Sequence, residues 1–237
     1  MSDPKDKLPA RSSRSEVADF IDKLAVTPVT RAAGERGRLI FAMDATASRG
    51  PTWDRAAQIQ AEMFTETAAL GGLDIQLAFY RGFFEFTATP WLSDADALLK
   101  RMTAVSCLAG QTQISRIFQH TIEETERRRV NALVFVGDCM EEDADQLGQL
   151  AGQLGLLGVP VFVFHEGFDP VAAHAFRQIA QLSRGAYCRF DAGSAQQLRD
   201  LLSAVAVFAA GGRKALEDYS QRKGGVTLQL THQIGKQ

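Results

Sequence analysis

Cysteine is scarce in this chain of 237 residues, which contains only three, Cys107, Cys139 and Cys188. They lie far apart and match no spacing that is typical of a zinc site. A sparse and odd set of thiols is typical of proteins in a reducing compartment, where cysteines are buried and unpaired. The cysteines therefore predict a cytoplasmic location.

An excess of positive charge is also missing. The chain has 26 Lys and Arg residues against 28 Asp and Glu residues, a net charge of -2, and its pI is about 6.1. Nucleic-acid-binding domains carry a basic patch that attracts phosphates. The charge balance therefore argues against a nucleic acid partner.

Long hydrophobic runs are absent as well. The amino terminus, MSDPKDKLPARSSRSE, is charged and lacks the apolar core of a signal peptide. The longest apolar stretch, residues 201–210, is too short to cross a bilayer. We therefore expect a soluble, cytoplasmic protein with no membrane partner.

Strand and helix patterns alternate along the chain. Apolar runs predict strands at residues 39–43, 73–80, 83–87, 131–136, 159–164 and 186–190. Helical spacing and cap signals predict helices at 52–70, 93–102, 113–129, 147–154, 170–184 and 195–210. This order predicts an α/β fold, a three-layer, doubly wound, mostly parallel and Rossmann-like sheet. A hairpin turn at Arg81 and Gly82 would add one antiparallel edge strand.

The chain divides into one domain with two extensions. Its length suits a single sizeable core with appendages. We expect residues 1–37 to be an amino-terminal extension, partly disordered and with a short helix at 15–24, and residues 38–211 to form the domain. Residues 212–237 would be a carboxy-terminal tail, in which apolar and polar residues alternate from 226 to 231 and suggest a strand.

Two apolar strands of this domain end at an acid, Asp44 and Asp138. Hydroxyls follow the first acid at alternate positions, Thr46 and Ser48. Such residues are common helix caps. They are also the oxygen ligands that Mg²⁺ prefers. Because ligands of parallel sheets collect beyond the carboxyl ends of strands, the position of both acids favours a cation site.

Three separated segments resemble the von Willebrand factor A (VWA) domain. Asp44-Ala45-Thr46-Ala47-Ser48 is similar to the Asp-x-Ser-x-Ser motif of its metal ion-dependent adhesion site (MIDAS). Gly110-Gln111-Thr112 lies where the family places a lone threonine ligand, and Val134-Phe135-Val136-Gly137-Asp138 resembles its strand that ends in aspartate. The resemblance runs from Arg38 to Ala210.

The resemblance implies a non-enzymatic module with a metal site. Its ligands would be Asp44, Thr46, Ser48, Thr112 and Asp138, holding Mg²⁺, or Mn²⁺ or Ca²⁺ in its place. An open position on the ion would accept an Asp or Glu of a partner protein, and similar bacterial proteins often work beside an ATPase or a chaperone. Gly137 and Cys139 depart from the family pattern, and neither is expected to be a ligand.

A haloacid dehalogenase-like phosphatase is the alternative that the sequence leaves open. Asp44 would be its nucleophile, Asp138 with Glu142 or Asp143 its later acids, and Lys100 its phosphate-binding lysine. Such enzymes need a second aspartate two residues after the first as general acid, and that position is Thr46. The metal-binding module is therefore the preferred interpretation.

Other residues near the predicted site have ordinary structural explanations. Glu141, Glu142, Asp143 and Asp145 follow the second acid and could tune the site electrostatically. We expect them instead to lie in the first turn of the next helix and to act as partners of its dipole. His165 has no second histidine nearby, which favours a structural role.

Aromatic residues near the site leave alternatives open. Trp53 is either a core residue or an interface anchor. Phe83, Phe84 and Phe86 would be packing residues, or a contact patch if they are exposed.

Overall fold

A six-stranded sheet forms the centre of the structure, a computed structural model that describes residues 35–190 and 195–223. The strands are β1 (Gly37–Asp44), β2 (Leu73–Arg81), β3 (Glu85–Ala88), β4 (Ala132–Gly137), β5 (Val161–Glu166) and β6 (Ala186–Phe190). Their order across the sheet is β3-β2-β1-β4-β5-β6, and only the β2–β3 pair is antiparallel. The predicted sheet with one antiparallel edge strand is confirmed.

Seven helices of the described residues surround this sheet. They are α1 (Gly50–Ile59), α2 (Ala61–Thr67), α3 (Ala95–Thr103), α4 (Ile114–Arg127), α5 (Ala144–Leu156), α6 (Pro170–Leu182) and α7 (Ala195–Lys223). Short 3-10 turns lie at Ala47–Arg49 and Ala68–Leu70.

Each face of the sheet has its own apolar core, because successive side chains of a strand point to opposite faces. On β1, Leu39, Phe41 and Met43 pack with α1, α2, α3 and α7. Ile40 and Ala42 face the other way, toward α4, α5 and α6. The result is the three-layer arrangement that the sequence predicts.

The order of the strands places the carboxyl end of β1 at the centre of one rim of the sheet, the rim formed by the carboxyl ends of the parallel strands. Chain order reverses there, since β2 lies on one side of β1 and β4 on the other. Crevices at such points collect ligands in open α/β sheets. Asp44 ends β1, and Asp138 directly follows β4 at the same edge.

Several helix boundaries differ from those predicted. The single helix expected at 52–70 is divided into α1, α2 and a 3-10 turn. Asp94, whose carboxylate accepts from the Ala97 N–H at 2.8 Å, is the N-cap of α3, so this helix begins at Ala95 and not at residue 93. The last helix was expected to end at Ala210, yet α7 bends at Gly212 (φ 73°) and continues to Lys223.

Some predictions fall on residues outside the described ranges. The short helix at 15–24 and the alternating segment at 226–231 both do so. Within the described residues, none of the helices combines the length and hydrophobicity required to cross a membrane.

Candidate metal centre

Asp44 lies fully buried at the end of β1. Its Oδ1 accepts a hydrogen bond from the Thr46 backbone N–H at 2.7 Å. Its Oδ2 is buried and has no hydrogen-bond partner among the described residues. A buried carboxylate oxygen without a partner is unfavourable unless a cation or a donor compensates it.

Burial is the main influence on the charge of Asp44. Loss of solvation raises the pKa of this carboxyl to about 6, and the negative charge of Asp138 acts in the same direction. Hydrogen bonds from the backbone and side chain of Thr46 oppose the rise. The carboxylate is therefore held in a position where its negative charge is costly without a nearby cation.

Ser48 and Asp138 meet across the gap between the two loops. The Ser48 hydroxyl donates to Asp138 Oδ2 at 3.0 Å, while Asp138 Oδ1 is buried and lacks a partner in the described part of the chain. Among the predicted ligands, Asp44 thus contacts Thr46, and Ser48 contacts Asp138. The negative charges of Asp44 and Asp138 also influence each other.

Thr112 lies in the loop before α4 and contacts the loop that follows Asp138. Its hydroxyl accepts from the Glu141 N–H at 3.0 Å, and its own N–H donates to Glu141 Oε2 at 3.1 Å. The fifth predicted ligand is therefore fastened to the loop that carries Asp138.

Glu142 strengthens the same connection. Its carboxylate accepts from the backbone N–H groups of Ile114 and Ser115, the latter at 2.9 Å, and thereby caps α4 from outside the helix. Gln113, the N-cap residue itself, supplies no side-chain cap. The prediction that Glu141 and Glu142 lie in the first turn of α5 was wrong, because both precede that helix. Glu141 contacts Thr112 and Glu142 caps α4.

Asp143 and Asp145 do serve α5. Asp143 is its N-cap, accepting from the Gln146 N–H at 2.8 Å, and Asp145 lies in the first turn. This agrees with the predicted role in the helix dipole.

Arg49 lies beside the candidate site and was not singled out by the sequence analysis. Its side chain is buried, forms an ion pair with Glu166, and lies with Nη1 3.7 Å from Asp138 Oδ2. The Thr52 hydroxyl also donates to Glu166, at 2.5 Å. Arg49 thus supplies positive charge on the Asp138 side of the site, whereas no ion pair with Asp44 occurs among the described residues.

His165 has a structural role, as expected. Its Nε2 donates to the Asp138 carbonyl at 3.1 Å, which leaves Nδ1 to accept from the Tyr187 hydroxyl at 2.9 Å. Burial lowers the pKa of this imidazole. The neutral ring therefore fixes the backbone on which Asp138 sits.

Cys139 lies beside the two acids. One ligand atom each from Asp44, Asp138 and Cys139 lie within 4.8 Å of one another. Burial first, and then the charge of Asp138, raise the pKa of the thiol to about 12.

The residues present fit a divalent cation. Two carboxylate oxygens on different loops, one each on Asp44 and Asp138, are buried without hydrogen-bond partners among the described residues. The Thr46 and Ser48 hydroxyls lie alongside them. A hard cation with oxygen ligands satisfies such groups.

Aromatic residues near the rim separate into two kinds. Trp53 is a core residue, since it is buried and its Nε1 donates to the Met102 carbonyl at 2.9 Å. Phe83 and Phe84, in contrast, are 61% and 86% exposed at the β2–β3 turn. Phe86 is half-buried against His120.

Comparison with known proteins identifies the fold. No family model and no curated protein matches the sequence. Among solved structures, the SpRpn10 VWA domain is 14% identical, with a TM-score of 0.54, over 71% of this chain and 94% of that domain. The PilB minor pilin from Streptococcus sanguinis is 10% identical, with a TM-score of 0.56, over 83% of this chain and 65% of that protein.

A third similar structure is that of proximal thread matrix protein 1 from the mussel byssus, with a zinc-occupied MIDAS motif. It is 12% identical, with a TM-score of 0.56, over 76% of this chain and 48% of that protein. At these identities the likeness establishes the fold. The chain has the VWA fold, and it spans only part of the length of the pilin and the matrix protein.

Proposed function

We propose that this protein binds a divalent cation at the Asp44–Asp138 rim and uses the ion to hold a carboxylate of a partner protein. The similar structures support a metal-dependent interaction module, since they include a VWA domain and a protein with a metal-occupied MIDAS.

One observation carries the proposal. Asp44 is fully buried with a carboxylate oxygen that has no partner among the described residues, and a second such oxygen belongs to Asp138. Uncompensated buried charge is expensive. A cation between the two acids would remove the cost, whereas a purely structural role for Asp44 would not explain it.

The chemistry of binding follows from this donor set. Asp44, Thr46, Ser48, Thr112 and Asp138 would hold the ion, with Mg²⁺, Mn²⁺ and Ca²⁺ suited to their oxygens. The ion would be the largest local positive charge, and a partner's Asp or Glu would be drawn to it. Ligation by a carboxylate would orient the partner on the rim.

The surface beside the rim suits a partner with apolar residues next to its acid. Phe83 and Phe84 project from the β2–β3 turn. Gly82 in this turn touches Gly110, two residues before Thr112, so closely that a Cβ on Gly110 would lie 1.9 Å from the Gly82 carbonyl oxygen. The exposed rings are thus joined to the loop of a proposed ligand, and they would add selectivity.

Calorimetric titration tests the metal site. We expect Mg²⁺ and Mn²⁺ to bind wild-type protein and the Asp145→Asn variant, and to produce no binding heat with Asp44→Asn. Asp145 is the matched control because it is an exposed acid on α5 outside the donor set. Equal heats for wild type and Asp44→Asn would defeat the assignment.

The phosphatase alternative is disfavoured because two of the acids that it requires already cap helices. Glu142 caps α4 and Asp143 caps α5, so neither is free to support a nucleophile or a metal-bound phosphate. Lys100 is exposed on α3. We expect no turnover of a generic phosphate ester with Mg²⁺ present; turnover that Asp44→Asn abolishes would favour the enzyme.

A further inference from the structure

Cys139 places a sulfur atom beside the two acids of the proposed site. Its ligand atom and those of Asp44 and Asp138 lie within 4.8 Å of one another. The charge of Asp138 also acts on the thiol and helps to raise its pKa. Asp44 is buried, whereas Asp138 and Cys139 are partly exposed, so an ion can reach the group from solvent.

We propose that Cys139 is itself a metal ligand and that the site therefore selects Zn²⁺ over Mg²⁺. This inference rests on the proposed function, because the same Asp44 and Asp138 carboxylates would hold the ion. It replaces the sequence-based expectation that Cys139 is not a ligand.

The spacing of the three atoms supports common ligation. Zinc binds sulfur at about 2.3 Å and carboxylate oxygen at about 2.0–2.2 Å. In a tetrahedral site the ligand atoms around one such ion are therefore about 3.3–3.6 Å apart. The observed atoms lie up to 4.8 Å apart, which exceeds this spacing by about 1 Å. Rotation of the partly exposed Asp138 and Cys139 side chains can supply that difference.

The state of Asp44 is a second, independent indication of a ligand. Its carboxylate is fully buried, and Oδ2 has no hydrogen-bond partner among the described residues. A thiol cannot neutralise this charge, but a cation shared with the thiol can. One ion would thus account both for the unpartnered oxygen of Asp44 and for the sulfur of Cys139 beside it.

Ligand chemistry then decides the metal. Thiolate sulfur is a soft ligand that favours Zn²⁺, whereas Mg²⁺ and Ca²⁺ require oxygen. As the sulfur–zinc bond forms, the thiol releases its proton to solvent. No electron transfer takes place, and the oxidation states of sulfur and zinc stay unchanged.

Cobalt substitution tests the sulfur ligand directly. Co²⁺ bound to a thiolate has a charge-transfer band in the near ultraviolet, and this band should be present in the full-length wild-type protein and absent from Cys139→Ser. Cys107→Ser is the matched control, since Cys107 is also a free, half-buried cysteine but does not belong to the three-atom group. Added Zn²⁺ should displace the Co²⁺ and remove the band.

Affinities measured by competition complete the experiment. Cys139→Ser should weaken Zn²⁺ binding at least about tenfold, as expected when a metal ligand is lost, and change Mg²⁺ binding less than about twofold. Far-ultraviolet circular dichroism checks that the variant folds.

Three outcomes would overturn this inference. They are a charge-transfer band that persists in Cys139→Ser, a band that disappears in Cys107→Ser, and Zn²⁺ affinity that is equal in wild type and Cys139→Ser. The proposed function would stand in each case if Asp44→Asn still abolished binding of the ion. Absence of binding by Mg²⁺, Mn²⁺, Zn²⁺ and Co²⁺ to wild type would instead overturn both proposals.

Discussion

At the scale of single residues, Asp44 is completely buried, and its neighbours have opposite effects on its negative charge. Hydrogen bonds from Thr46 favour the carboxylate, but burial and Asp138 outweigh them and raise its pKa to about 6. Since the pKa is raised above its unfolded value, the folded state binds the proton more tightly. Ionisation of Asp44 therefore weakens the metal-free fold.

This imbalance predicts a pH-dependent effect of Asp44→Asn. In chelator, wild-type stability should fall by up to about 3 kcal/mol as pH rises from about 4 to about 6, and then level off. The variant lacks the ionisable group and should be the more stable protein above about pH 6. Urea denaturation across this range measures both. Parallel stability curves for the two proteins would contradict the prediction.

Arg49 shows the opposite relation, a buried cation that acids compensate. Glu166 is its main partner, and Asp138 is the second at 3.7 Å. Removing one partner of a buried ion pair is strongly destabilising, because the other charge stays buried.

Glu166→Gln should accordingly reduce the free energy of unfolding by about 3 kcal/mol. The matched control is Glu85→Gln, which removes an exposed partner of Arg81 and should change stability by less than about 1 kcal/mol. Chemical denaturation in chelator gives both values. Equal losses for the two variants would show that Arg49 does not depend on Glu166.

At the scale of elements, the site depends on how the loops are fastened to one another. Glu142 reaches from the end of β4 to the start of α4, and Glu141 holds Thr112. The sequence places these acids immediately before α5, where local rules assign them to that helix. Their actual targets are far away along the chain, and only the folded arrangement identifies them.

The β2–β3 turn carries a prediction about the partner. Phe84→Ser should weaken metal-dependent capture of a partner from native cell extract at least about tenfold, as for the loss of an interface anchor, while leaving metal affinity unchanged. Leu156→Ser is the control, because Leu156 is equally exposed, at 86%, but ends α5 just before β5 begins, away from the carboxyl ends of the strands. Equal capture by both variants would remove the phenylalanine turn from the interface.

At the scale of the whole molecule, alternating strand and helix patterns were sufficient to predict the sheet and its antiparallel edge. The buried strands β1 and β4 are continuous apolar runs that end at acids, so Asp44 and Asp138 were recognisable as rim residues. Arg49 was not, because an arginine after two hydroxyls has the pattern of a surface residue. Its burial depends on Glu166, which only the folding of β5 brings near.

The end of α7 was also beyond local rules. Two glycines at 211 and 212 indicate the end of a helix. In the structure Gly212 adopts a non-helical conformation, but the chain resumes the helix and Leu216 and Tyr219 are buried in the core. Tertiary packing thus overrides the local signal.

Binding of metal should stabilise the whole fold. An ion that binds only the folded state adds about 2.7 kcal/mol at a concentration one hundred times its dissociation constant. Thermal unfolding should therefore shift upward with added Mg²⁺, Mn²⁺ or Zn²⁺ in wild type and stay unchanged in Asp44→Asn. A shift of the same size in the variant would place the ion elsewhere.

The contact between Gly37 and α7 has a consequence for biosynthesis. A Cβ at Gly37 would lie 2.4 Å from the Ala209 carbonyl oxygen, so the backbone of the last helix rests directly on the start of β1. A ribosome makes β1 early and α7 late. Until translation has passed Ala209, α7 is not available to cover the side of β1 that carries Leu39, Phe41 and Met43.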